Sequence, residues 1–260
     1  MKESTSFSWA LTGMFAAFHL VISLVPYSIV LGATGVISFG LISGPLIGFL
    51  LGPVYGPVSV LLGSFLATAI DPALAVIGPF TPLATGAGAL AAGALRSPRP
   101  RLLLVIYVGA LVAFLLGPIG STAAIFLVPH AFGLAILAIL TITNAAKGVS
   151  DRIVHETDTS SGVLSVFVVS FVAVMLDNAI GNSIASYYFV YIVGADPTAM
   201  TGIFLGALFI YPIERVVAAI VITLLYVVVR TAMIRTDLDL LSTRFDDEEQ
   251  QSEFEHNLDE

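Results

Sequence analysis

Long apolar stretches set the terms on which this chain can fold. Eight of them, separated by charges or by Gly/Pro clusters, fall at about residues 8–25, 36–51, 54–70, 82–95, 102–116, 121–144, 162–187 and 201–229. A hydrocarbon core about 30 Å thick is crossed by roughly 20 apolar residues in a helix, because every backbone polar group there must be bonded within the segment. Composition agrees: 57% of residues are hydrophobic and only 11% are charged, against roughly 45–50% and 25% in soluble domains. The pattern predicts an all-α integral membrane protein, a bundle of six to eight transmembrane helices over residues 1–236. The range reflects 82–95 and 102–116, which are short for a full crossing. The first run is expected to be retained, because Met1–Ser8 carries one Lys and one Glu and no small-residue cleavage site follows.

The net charge of -8 belongs to one end of the chain. Ten of the 18 acids lie between Asp237 and Glu260, where Arg244 is the only base, so residues 1–236 are close to neutral. Residues 237–260 have too little apolar surface to offset the entropy of ordering and are expected to form a disordered, acidic cytoplasmic tail. The bases are sorted. Lys2, Arg96, Arg99, Arg101, Lys147, Arg152, Arg230, Arg235 and Arg244 fall at alternate ends of the apolar runs, and the connections at about 26–35, 71–81, 117–120 and 188–200 contain neither Lys nor Arg. Under the positive-inside rule this places both termini in the cytoplasm and requires 102–144 either to be a hairpin or not to cross. Neither part of the chain offers a basic surface for nucleic acid. With no cysteine, disulfides and thiolate metal sites are excluded.

Glycine recurs at 40, 44, 48, 52 and 56 within FGLISGPLIGFLLGPVYGPVSVLLG. On a helix, every fourth residue without a side chain makes a stripe along which another backbone can approach. Most of these glycines are expected to pack helices within the protein, and GPVYGP is expected to turn one helix into the next on the cytoplasmic side. The first helix has two small-residue pairs, Gly13 with Ala17 and Thr12 with Ala16.

A short first helix, an outer loop, LLGPVYG leading into a glycine-spaced helix, an Asp-Pro at its end, PFTPLATGAGALAAGAL and then a basic loop resemble the substrate-binding S components of energy-coupling-factor (ECF) transporters. The similarity covers roughly residues 8–101, and YPIERVVAAIVITLLYVVVR also looks like the last helix of that family. The resemblance implies a membrane subunit that captures a vitamin or similar micronutrient from outside and associates with a transmembrane coupling subunit and two ATPase subunits. It implies docking of the first helix on the coupling subunit through Gly13 and Ala17, and a loop after that helix, carrying Tyr27, that closes over substrate. The family usually has six helices; this chain offers about eight, with 102–144 as the surplus.

Ionisable residues at membrane depth cost about 2.5–3.5 kcal/mol each on insertion scales and mark candidate sites. Two concentrations stand out: MLDNAIGNSIASYY, with Asp177, Asn178, Asn182 and Ser186, and YPIER, with Glu214 and Arg215. Asn178, Asn182 and Ser186 recur four residues apart. Counting about 1.5 Å per residue puts both patches in the outer half of the core. Neighbouring helices would then let Arg215 pair with Asp177, leaving Glu214 and the Asn and Ser groups to line an outward-facing pocket. A purely structural Asp177–Arg215 ion pair has comparable standing. His19 and His130, each in an apolar run, are expected to be hydrogen-bonded packing residues, since no triad of ligands accompanies them. Asp71, before Pro72, is expected to cap or turn the chain.

No GxxxxGK[ST] loop, GxSxG elbow or HExxH pair occurs. The expectation is therefore no enzyme activity, no bound cofactor and energy supplied by a partner. A stand-alone proton-coupled carrier is the alternative, with an intramembrane acid–base enzyme and a ligand-free scaffold behind it.

Overall fold

The structure, a computed structural model, describes residues 5–29, 36–97 and 99–235. The acidic tail expected over 237–260 lies outside the described residues. Nine α-helices are found among those described: α1 (Thr5–Ser23), α2 (Gly40–Ile70), α3 (Thr81–Arg96), α4 (Pro100–Leu116), α5 (Val128–Ile142), α6 (Ala146–His155), α7 (Ser160–Tyr187), α8 (Pro197–Ala207) and α9 (Tyr211–Arg235). Five helical segments are long and apolar enough to cross a membrane, namely Ser6–Ser23, Gly40–Ile70, Ala124–Ile142, Ser160–Ile192 and Tyr211–Arg235. The protein is a multi-pass helical membrane protein. One small departure from an all-α chain is an antiparallel hairpin of β1 (Pro26–Ile29) and β2 (Val36–Ser38) between α1 and α2.

Helix α2 is two limbs, 40–51 and 53–70, folded back on each other at Gly52, whose φ of 77° and ψ of -171° leave the helical region. Glycine tolerates that φ because it has no Cβ. Residues eight apart in a straight helix stand about 12 Å apart. Here a Cβ added to Gly56 would lie 2.9 Å from the Gly48 Cα. The expected turn at GPVYGP is therefore present. The glycines beside it admit neighbouring backbone: a Cβ on Gly48 would meet the Ala89 carbonyl oxygen of α3 at 2.1 Å, and one on Gly63 would meet the Ala16 carbonyl oxygen of α1 at 2.5 Å. On α1, Thr12, Ala16 and His19 face inward. His19 Nδ1 and Nε2 bond Ser43 and Ser64 at 2.7 and 2.9 Å, joining α1 to both limbs.

Helix α7 runs through the centre, its middle buried against α3, α4, α5 and α9. Helices α4 and α5 form a hairpin over 102–144, one of the two arrangements expected there, joined through a 3-10 turn at Ala124–Leu127. The basic connection after it contains α6, a short amphipathic helix that hydropathy alone did not separate from a loop. The run at 201–229 also divides. Leu208–Ile210 form a turn before α9, which begins Tyr211-Pro212, and proline suits a first helical turn because it lacks the N–H that would go unbonded there.

Two buried arginines, Arg96 and Arg230, lie at one end of the bundle. Arg96 Nη1 donates to the carbonyls of Phe49 and Leu50 beside the Gly52 turn, and Arg230 Nη2 donates to the Val154 carbonyl at the end of α6 at 2.9 Å. Both cap helix C-termini, where free carbonyls and the negative end of the helix dipole favour a cation. The Ser150 hydroxyl of α6 donates to the Arg96 carbonyl, so α6, with Lys147 and Arg152, sits at this same end.

Candidate binding site

A cavity of about 480 Å³ lies toward the other end, among the β-hairpin, the start of α3, α7, α8 and α9. The volume is within the range that accepts a small organic molecule. Its walls are largely apolar, with Leu41, Ile77, Phe189, Met200 and Phe204 contributing. Four of the residues singled out in the sequence line it together: Asp177, Asn178, Asn182 and Arg215. Asp177, Asn178 and Asn182 precede Ala185 along α7, and Phe189 and Val193 follow in and just after the π-helical turn beyond it, so the cavity has a polar floor under apolar walls.

The anticipated pairing of Arg215 with Asp177 is not formed. Arg215 faces the Asn178 side chain. Guanidinium nitrogens only donate, so the Asn178 atom facing them is its oxygen, which accepts from Nε and Nη2 of Arg215 at 2.7 Å each. The Asn178 amide nitrogen then donates to His130 Nε2 at 2.8 Å. His130 Nδ1 in turn donates to the Phe126 carbonyl at 3.3 Å, the tautomer that leaves Nε2 free to accept. The chain Arg215, Asn178, His130, Phe126 thus runs from α9 through α7 into α5, each donor matched to an acceptor. The Asn182 amide sits one turn along α7 in contact with Asn178. Tyr211, four residues before Arg215 on α9, also lines the cavity, and its ring lies 5.5 Å from the guanidinium carbon.

Asp177 receives no hydrogen bond from the described residues. It is 9% exposed, lines the cavity and packs against α3 at Gly88, where an added Cβ would lie 3.5 Å from its Oδ2. A carboxylate at this depth without a partner is a strong pointer to a site, because lone charges are otherwise excluded from membrane interiors.

Ser186 and Glu214 do not line the cavity. Ser186 is fully buried and donates to the Ser183 carbonyl at 2.8 Å. Eight residues along an α-helix leave a rotation of about 80°, whereas seven leave about 20°, so Ala185 rather than Ser186 continues the face begun at Asn178. Glu214 is half-buried one residue before Arg215, and therefore about 100° around α9 from the face that meets the cavity. The side chain of Tyr27 lies outside the described residues; its backbone belongs to β1. Gly13 and Ala17 are on the outer face of α1, and an added Cβ on Gly13 would meet nothing within 4 Å. His130 is hydrogen-bonded, as expected of a packing histidine, and it also supports the floor. Sequence reading missed that link because its partner is 48 residues away. It missed the contributions of Ser38, Thr81, Thr85 and α8 as well, the last because α8 and α9 read as one apolar run. No three of His, Asp or Glu cluster as a metal site requires among the described residues.

Comparison with protein-family models, curated proteins and solved structures finds no match. Its own geometry therefore defines the class: a helical membrane protein with a ligand-sized cavity toward one end of the bundle.

Proposed function

We propose that the chain is the substrate-binding subunit of an ECF-type micronutrient importer, taking a vitamin or related small molecule from outside and working with a transmembrane coupling subunit and two ATPase subunits. The observation that carries this reading is the cavity with Asp177, Asn182 and Arg215 at its floor, toward the end of the bundle opposite the basic residues. Bases collect on the cytoplasmic side, so in the cell membrane the cavity faces the side from which substrate arrives, and both termini face the cytoplasm. Support also comes from α1, which keeps Thr12 and Ala16 inside and turns Gly13 and Ala17 outward, as a helix docking on the coupling subunit requires. The sequence contains no phosphate-binding loop, so ATP hydrolysis falls to the partners.

Affinity isolation from gently solubilised source membranes tests the reading. The expected companions are a membrane coupling subunit and an ABC-type ATPase pair. A second reading, a stand-alone proton-coupled carrier, draws on the unpaired intramembrane carboxylate of Asp177. It predicts uptake by vesicles holding this chain alone under a proton gradient, and that result without any ATPase requirement would overturn the first reading.

A further inference from the structure

The floor of the cavity holds one carboxylate and one guanidinium, yet they are not equivalent to an incoming ligand. Arg215 has Nε and Nη2 committed to the Asn178 oxygen. Its remaining Nη1 is buried and has no hydrogen-bond partner among the described residues. Asn178 is fixed in this orientation by His130, which is fixed by the Phe126 carbonyl. The clamp withholds the cation from its neighbour Asp177, whose carboxylate is left without a hydrogen bond among the described residues while lining the cavity. The site therefore offers a ligand the free acceptor oxygens of Asp177, while the donors of Arg215 are already committed or buried.

We propose that the cavity takes ligands whose innermost group is cationic or rich in N–H donors, such as an amidine, an amine or an aminated heterocycle, and rejects carboxylates and phosphates. The proposal rests on reading this cavity as the substrate site. A carboxylate surrounded by apolar walls interacts strongly with an approaching cation or N–H pair, because little water screens it. An anion would meet Asp177 at close range before finding any free donor on Arg215, and like charges in such a setting repel strongly. Above the floor, Leu41, Ile77, Phe189, Met200 and Phe204 suit a flat apolar body. His130, on the α4–α5 hairpin, acts as a positioning residue: it never touches the ligand, but it holds Asn178, and thereby Arg215, away from Asp177.

Three probes of nearly identical shape separate the possibilities: benzamidine, benzamide and benzoate, a cationic, a neutral and an anionic head on one ring. The full chain, purified in detergent and freed of copurified small molecules, is titrated with each by calorimetry and followed by thermal unfolding, at probe concentrations to about 10 mM, since ligands this small bind at millimolar levels. The expected order is benzamidine, then benzamide, then benzoate, with at least about tenfold between the first and the last. Asp177→Asn removes the benzamidine preference. Asn178→Leu keeps Asp177 but frees Arg215 to turn onto it, and benzamidine binding falls by about tenfold or more. Benzoate binding as tightly as benzamidine, no binding of benzamidine at all, or a benzamidine preference that survives Asp177→Asn each overturns the proposal. If Asp177→Asn does not survive solubilisation, the ranking on the unaltered protein decides. Isolation with ATPase subunits does not depend on the head group. A chain that brings down those subunits yet prefers benzoate therefore refutes this inference and leaves the proposed function standing.

Discussion

Replacing Gly48 by alanine adds one carbon where the structure has no room for it. The new Cβ would stand 2.1 Å from the Ala89 carbonyl oxygen and 2.9 Å from its carbonyl carbon. Carbon–oxygen contacts settle near 3.3 Å, so α2 and α3 must part by roughly 1.2 Å, and no flexible side chain is available to yield. Overpacking of this kind costs about 1–3 kcal/mol, and helices that associate through close backbone approach in lipid lose that contact as well. Against this stands the helix-forming gain of alanine over glycine, about 0.5–1 kcal/mol. The net loss of roughly 1–2 kcal/mol corresponds to a fall of about 2–8 °C in melting temperature for a protein of this size. Gly13→Ala is the control, chemically the same change on α1 where an added Cβ meets nothing within 4 Å, and it leaves the melting temperature unchanged or slightly raised. Thermal unfolding of both variants in one detergent reads the difference. Equal melting temperatures would refute the account of how α2 and α3 pack.

Arg96→Met removes the donors to the Phe49 and Leu50 carbonyls and is expected to destabilise by about 2–4 kcal/mol, read as a lower melting temperature with the chain still inserted in membranes. Asn182→Ala weakens retention of the natural ligand by about threefold to tenfold, measured by its yield after purification, whereas Ser186→Ala, away from the cavity, leaves it unchanged. Gly13→Leu fills the outward stripe of α1 without touching the interior; if α1 docks as proposed, the variant is expected to lose copurification of a coupling subunit while keeping the melting temperature of the unaltered protein.

Hydrophobic runs and glycine spacing carried the architecture. The Gly52 fold-back was legible because glycine and proline mark turns whatever the solvent around them. The break between α8 and α9 was not, because Leu208, Phe209 and Ile210 are as apolar as the helices they join, and in lipid a turn need not be polar. Asp177, Asn178, Asn182 and Arg215, which line one cavity, were legible as a candidate site through the cost of placing polar and charged groups at membrane depth. Their pairing was not. Distance along the helices shows that Arg215 and Asp177 are at similar height, but whether the guanidinium turns to the carboxylate or to the amide depends on His130, which arrives from a helix far off in the chain. Ser186 was misplaced by a smaller effect, the drift of a 3.6-residue helix away from a strict spacing of four.

Whether the cavity holds a natural ligand is the most direct test. Native mass spectrometry of the chain, released gently from its own membranes, is expected to show the unaltered protein carrying one small organic molecule. Asn182→Ala and Asp177→Asn, purified in the same way, are expected to carry it at reduced occupancy. A molecule retained equally by all three proteins, or none on the unaltered chain, would contradict the account.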